Sequence, residues 1–151
     1  MQKTLIIIKP DAVDRHLVGA ILSRFEAKGL QLLAMKLAII PRATAEKHYE
    51  VHRERHFYAG LVDFMTGGPV VLMVLAGEDA IGIARTLMGK TNSAEAAPGT
   101  IRGDFGMSGQ YNLVHGSDGP ESAQREIDLF FSPEEVVEFS HSDVTWSTTP
   151  D

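Results

Sequence analysis

Gly67-Gly68-Pro69-Val70-Val71-Leu72-Met73-Val74-Leu75-Ala76 is the stretch that decides how this chain folds. Gly-Gly-Pro is a strong breaker. The unbroken apolar run behind it, Val70–Ala76, has the length of a central strand and falls far short of the ~20 residues that span a bilayer. Working outward, Thr4–Ile8 is another β-rich run, stopped by Lys9-Pro10-Asp11. Leu33, Met35, Leu37 and Ile39 alternate with Ala34, Lys36 and Ala38, a period-two strand closed by Pro41. Between these two strands, Val18, Ile21, Leu22 and Phe25 form one helical stripe, with Gly29 where a C-terminal cap belongs. Thr44 is expected to cap a helix near 45–52, and a second short helix is expected near Ala59–Met65. After the central strand, Asp79 is placed to cap a helix reaching Met88, with Gly89 behind it. Lys90 to about Gln110 has no periodicity and is rich in glycine. A loop this long in a compact domain is usually functional. Tyr111–His115 reads as one more short strand. Gly119-Pro120-Glu121 opens a helix with glycine at the N-cap, proline at N1 and an acid in the first turn. Ala123, Ile127, Phe130 and Phe131 supply its apolar face.

The order β-α-β-(αα)-β-α-loop-β-α predicts an α/β (α+β) domain of the ferredoxin-like kind, a four-stranded antiparallel sheet with helices packed on one face. A doubly wound parallel sheet is the alternative. It is disfavoured because four strands are few and no glycine-rich fingerprint follows the first. The 151 residues suit one domain, 1–151, and 140–151 reads as a polar C-terminal tail carrying Val144 and the lone Trp146. With no cysteine there is no disulfide, thiol nucleophile or Cys-ligated metal. The net charge of −6 argues against nucleic-acid binding as the main task, and no membrane segment or signal-peptide layout is present, so a soluble, cytoplasmic protein is expected.

Gly89-Lys90-Thr91 resembles the end of a phosphate-binding P-loop, but Ala84 stands where that pattern requires glycine, and the triplet closes a helix instead of opening one. His48, His52 and His56 lie four apart and are expected on one solvated helix face, without a convincing carboxylate to complete a metal site. His115 has a more suggestive context. It ends a strand and precedes Gly116-Ser117-Asp118-Gly119 and a helix N-terminus, whose potential favours phosphate. Glu126, two turns into that helix, is placed to reach back to the ring. A neutral imidazole with one nitrogen fixed by a hydrogen bond is a competent nucleophile, and an ordinary turn histidine remains the alternative from context alone. A serine hydrolase is excluded at Ser117, since His115 occupies the first glycine position of the nucleophile elbow.

Asn112-Leu113-Val114-His115-Gly116-Ser117-Asp118 resembles the active-site signature of the nucleoside diphosphate kinases. Ile8-Lys9-Pro10-Asp11, Arg55-His56-Phe57-Tyr58-Ala59-Gly60-Leu61, Gly68-Pro69-Val70-Val71 and Pro98-Gly99-Thr100-Ile101-Arg102-Gly103-Asp104-Phe105 match that family in order. The resemblance implies transfer of the γ-phosphate of a nucleoside triphosphate, typically ATP, to a nucleoside diphosphate. The implied route is ping-pong through a phosphohistidine at His115, with Mg2+ carried on the nucleotide phosphates and no protein metal site. It implies that Glu126 and Ser117 position His115, that Lys9 is a cation at the transferred phosphate and ribose, and that Asn112 bonds the sugar. It implies further that Arg85, Thr91 and Arg102 hold the phosphates with Arg55 nearby, that Tyr49 and His52 line the phosphate site, and that Phe57 stacks on the base with Leu61 flanking it. Stacking reads a π face that every base has, so all bases are expected to be accepted. The family's oligomers imply a hexamer with a tetramer as runner-up, with Trp146 packed on a neighbouring subunit. His56 and Tyr58 stand where the family has proline and phenylalanine, Ser93 replaces a common proline, and Gly119 replaces a common serine cap. A catalytically silent nucleotide-binding regulator of the same fold is the alternative, opposed by the joint presence of Lys9, Asn112, His115 and Glu126.

Overall fold

The computed structural model describes residues 1–139 and 141–151. Its elements run β1 (Gln2–Ile8), α1 (Pro10–Asp14), α2 (Val18–Lys28), β2 (Gln31–Ala38), α3 (Arg42–His48), α4 (Tyr58–Thr66), β3 (Val70–Gly77), α5 (Ala80–Met88), α6 (Ile101–Phe105), β4 (Val114–Gly116), α7 (Pro120–Phe130) and α8 (Val144–Ser147), with short 3-10 turns at Glu50–His52, Ser93–Glu95 and Pro133–Glu135. The four strands form an antiparallel sheet in the order β2-β3-β1-β4. This is the expected ferredoxin-like sheet with helices packed on it. No helix among the described residues is long and apolar enough to cross a membrane.

Helices cover both faces of the sheet, where the sequence reading had placed them on one. Leu5 and Ile7 of β1 join Leu72 and Val74 of β3 against Ala45, Val62, Met65, Ile127 and Phe130 from α3, α4 and α7. Ile6 and Ile8 point the other way, with Val71, Met73 and Leu75, onto Ala12, Ile21, Phe25, Ala84, Met88 and Ile101 from α1, α2, α5 and α6. This explains why β1 and β3 lack alternation: successive side chains face opposite sides, and both sides are dry. Fully burying one such aliphatic side chain stabilises by about 1.5–3 kcal/mol. The strand on the outer edge, β2, keeps its alternation and leaves Met35 and Leu37 exposed.

Several boundaries differ from the sequence reading. Helix α3 begins at Arg42, with Pro41 at its N-cap, and Thr44 lies within it. The helix ends at His48 and gives way to the 3-10 turn, so His48, His52 and His56 do not share a helical face. Gly29 does end α2, at φ +110°, a conformation glycine adopts without strain. Within Lys90–Gln110 lies the short helix α6, its N-cap Thr100 accepting the Gly103 N–H. Finally, β4 starts only at Val114, because Leu113 sits at φ +75° and kinks the chain before the strand.

Candidate active site

The end of β1 and the start of β4 lie side by side, with Ile7 opposite His115 and Ile8 opposite Val114. Lys9, one residue past β1, donates its backbone N–H to the Leu113 carbonyl at 2.8 Å. The left-handed Leu113 also gives its N–H to Asp11 Oδ2 at 3.2 Å. Such a backbone costs of order 1–3 kcal/mol and persists only where its surroundings impose it. Here it lets Asn112 turn into the cleft while Val114 joins the sheet.

Asn112 is buried and bound at both ends of its amide: Oδ1 accepts from Lys9 Nζ at 2.7 Å, and Nδ2 donates to the Thr91 carbonyl at 2.9 Å. Arg102, 6% exposed, donates from Nε to Asn112 O (3.1 Å), from Nη1 to Gly89 O (3.0 Å) and from Nη2 to Val114 O (2.6 Å). A guanidinium has five N–H groups, so two stay available to a ligand while three pin the loop to the strand. Burial, and secondarily Arg85, lowers its pKa to about 10, still a cation at neutral pH. Burial and then the Arg102 charge lower Lys9 to about 8, with Asp11 opposing. Arg85 reaches Gly116 O at 3.3 Å.

His115 faces the cleft with its ring held from behind. Its Nε2 lies 3.0 Å from Glu126 Oε1, and the same oxygen accepts from Ser117 Oγ at 2.7 Å. Ser117 is fully buried and also accepts the Leu5 N–H at 3.1 Å, fixing the carboxylate to the centre of the sheet. Burial raises the pKa of Glu126, but the His115 and Ser117 hydrogen bonds and the His115 charge outweigh it and hold the carboxyl below its usual value. Against an ionised carboxylate the Nε2 nitrogen carries the proton, which leaves the Nδ1 lone pair free on the open side.

The cleft is lined by Lys9, Tyr49, His52, Arg85, Thr91, Arg102, Asn112, His115 and Glu126, all expected from the sequence, and also by His48, Asp118 and Arg125, which were not singled out for it. Ser117 lies beneath the cleft floor. Arg55, Phe57 and Leu61 fall outside it: Arg55 and Phe57 are exposed, with Phe57 at the N-cap of α4 one turn before Leu61. The cleft is open on one side and holds about 250 Å³, less than the ~300–1,000 Å³ of a typical whole-ligand pocket. It matches a phosphate chain better than a complete nucleotide, whose base would extend toward the rim. His48 is the main residue missed. It was read as solvated, yet it is 7% exposed and stacked edge-on to Tyr49, His115 and Phe130. Its position three residues after the buried Ala45 was the available signal.

Comparison with known proteins fits this geometry. The nucleoside diphosphate kinase family profile matches residues 2–136. The chain belongs to the nucleoside diphosphate kinase family. A nucleoside diphosphate kinase from Archaeoglobus fulgidus is 54% identical over 146 residues, covering 97% of each chain, and one from Bacillus licheniformis is 58% identical over 138 residues, covering 91% of this chain and 93% of its own. Among solved structures, a halophilic nucleoside diphosphate kinase from Halobacterium salinarum in complex with CDP superposes with a TM-score of 0.95 at 43% identity, covering 98% of this chain and 99% of that one. As a nucleoside diphosphate kinase this chain is a nucleotide-binding phosphotransferase, so its cleft of cations around one oriented histidine is to be read against phosphoryl transfer.

Proposed function

We propose that this kinase moves the γ-phosphate of a nucleoside triphosphate, typically ATP, onto Nδ1 of His115 and then onto a nucleoside diphosphate. The observation that carries the proposal is the Ser117–Glu126–His115 hydrogen-bond chain, which favours the tautomer with its proton on Nε2 and its lone pair on Nδ1. In the first half-reaction the Nδ1 lone pair forms the N–P bond as the bond to the β-phosphate bridging oxygen breaks, and the departing diphosphate keeps that electron pair. The positive charge arising on the ring is met by Glu126. The second half-reaction runs in reverse on the incoming diphosphate. Lys9, Arg85 and Arg102 neutralise charge on the phosphates, and phosphoryl transfer needs little beyond such positioning and neutralisation. The cleft carboxylates among the described residues are Glu126, bonded to His115 and Ser117, and Asp118, exposed at the rim. That set suits a magnesium ion arriving on the phosphates with its own waters, not one caged by protein. Such an ion would share the neutralisation of the phosphate oxygens.

The exposed Phe57, with Leu61 one turn on, would stack on the base beyond the cleft, with the exposed Arg55 two residues before it. The bound CDP of the Halobacterium salinarum relative supports nucleotides, pyrimidines included, as substrates. Purine and pyrimidine diphosphates are expected to be accepted within about one to two orders of magnitude, since a contact to the ring face rejects none of them. The cytoplasm is the compartment this reading implies. For assembly we favour a hexamer, with a tetramer as runner-up. Support comes from the exposed apolar side chains Trp146 (87%), Leu37 and Ile39. The tail's first residue, Ser140, lies outside the described residues. Light scattering on the full chain and on one ending at Phe139 tests the tail's role; an unchanged mass and thermal stability would remove it. Transfer itself is tested with γ-labelled ATP. Wild type should gain acid-labile label on histidine and His115→Ala none, while nucleotide binding is largely kept. Near wild-type transfer by His115→Ala would overturn the proposal.

A further inference from the structure

His48 is a buried imidazole with neither ring nitrogen hydrogen-bonded among the described residues, an arrangement that costs free energy unless something else uses it. Its side chain is 3% exposed, and its Nδ1 lies 4.0 Å from Glu126 Oε2, while Glu126 Oε1 is 3.0 Å from His115 Nε2. One donor atom from each of His48, His115 and Glu126 falls within 4.8 Å of the other two. We propose that these three residues form an inhibitory site for a zinc-class divalent cation on the Nε2 side of the nucleophile.

The donor set, two imidazoles and a carboxylate, is the one such ions take in three-ligand sites that keep a fourth position for water. With bonds near 2.0–2.1 Å a tetrahedral site has edges of about 3.3 Å. The His115–Glu126 edge is already close to that. The His48 imidazole must approach by on the order of 1 Å, a side-chain rotation at the last residue of α3. Metal ligands must offer a free lone pair, and the His48 ring, packed among Tyr49, His115 and Phe130, has neither nitrogen engaged by a hydrogen bond among the described residues. Lys9 and Arg125 line the same cleft and oppose an added cation, which weakens the site.

The consequence follows from the two ring nitrogens of His115. A cation on Nε2 takes that lone pair and sends its proton to Nδ1, so no lone pair faces the transferred phosphate. This consequence rests on the transfer reading above; the site itself does not.

The test titrates zinc ion alone into nucleotide-free full-length protein by calorimetry, then repeats it with His48→Phe, which preserves the aromatic contacts with Tyr49 and Phe130. One zinc per chain in the micromolar range, weakened at least tenfold in His48→Phe, is expected. Zinc-edge X-ray absorption on the wild-type complex should give two imidazoles and oxygen in the first shell. Binding that is absent at millimolar zinc, or equally strong in His48→Phe, overturns the site. A second arm follows labelling of His115 by γ-labelled ATP at buffered free zinc. Zinc should suppress label in wild type, and at least tenfold more zinc should be needed in His48→Phe. Equal suppression in both refutes the inhibitory role. Absence of any label without zinc counts against the transfer reading and leaves the calorimetric result standing.

Discussion

Ser117→Ala isolates the support behind the nucleophile, because this hydroxyl is fully buried and does not line the cleft. It donates to the Glu126 carboxylate at 2.7 Å and accepts the Leu5 N–H at 3.1 Å, in a site with no solvent exposure. Losing a hydrogen bond to a charged group costs about 1.5–3 kcal/mol, and leaving the Leu5 N–H unpaired adds a desolvation penalty of about 1–3 kcal/mol. The two overlap, since one oxygen serves both, so about 3–4 kcal/mol is a fair expectation. In a chain of this size each kcal/mol moves Tm by about 2–4 °C, giving a fall of roughly 10 °C by calorimetry. Chemistry should suffer less. Glu126 keeps its bond to His115 but loses one of the contacts that hold its pKa down. Phosphorylation of His115 in a single-turnover assay should therefore slow by about tenfold or less at neutral pH, with a steeper loss on acidification. An unchanged Tm would refute the buried chain from sheet to carboxylate. A thousandfold loss of rate with intact stability would show that Ser117 acts on the substrate directly.

Other outcomes follow from the same geometry. Arg102→Lys cannot span the three carbonyls that Arg102 holds, so it should lower Tm by several degrees and weaken triphosphate binding together; loss of binding alone would assign Arg102 to the ligand only. Lys9 is a cation below about pH 8, so kcat/KM should fall as pH rises through that value, and Lys9→Met should erase this limb of the profile. Stability should move the opposite way: between about pH 8 and 10.5 the unfolded state binds the extra proton, so ΔG of unfolding should rise with pH across that window in wild type, measured by urea titration against Lys9→Met. Gly103→Ala should disrupt the Lys90–Gln110 segment, because its Cβ would collide with the Ala97 carbonyl oxygen; a wild-type Tm in that variant would contradict the packing.

Much of this was legible in the residues. The central strand Val70–Ala76 and the helix opened by Gly119-Pro120 follow from local rules of burial, breaking and capping. The coverage of both sheet faces was also written in the chain, since Leu5-Ile6-Ile7-Ile8 has no polar face to offer water. The strand start at Val114 was not legible: leucine rarely adopts a positive φ, and only contacts with Lys9 and Asp11, about a hundred residues away, impose it. His48 was misread for a related reason. Spacing by four suggested a continuous helix; the register with Ala45 does point His48 inward, but nothing local signals that the helix stops there and sets the ring against His115.

The cations of the cleft also carry a structural cost that explains where they sit. A buried Lys9 and a buried Arg102 would destabilise the sheet edge if left alone, as their lowered pKa values record. Each is instead tied to backbone or amide oxygens of the segment that presents His115: Lys9 to Asn112 Oδ1, Arg102 to the carbonyls of Asn112 and Val114. The groups that would bind phosphate thus also fix the nucleophile's strand, on both sides of Leu113. It follows that phosphate binding and strand order are coupled. A ligand anion in the cleft relieves the charge penalty on Lys9 and Arg102, which raises stability by the linkage between binding and folding. Inorganic phosphate or ADP should therefore raise Tm in wild type, and much less in Arg102→Lys, where the guanidinium that joins anion to strand is gone. An equal rise in both proteins would separate the two roles that the structure combines in Arg102.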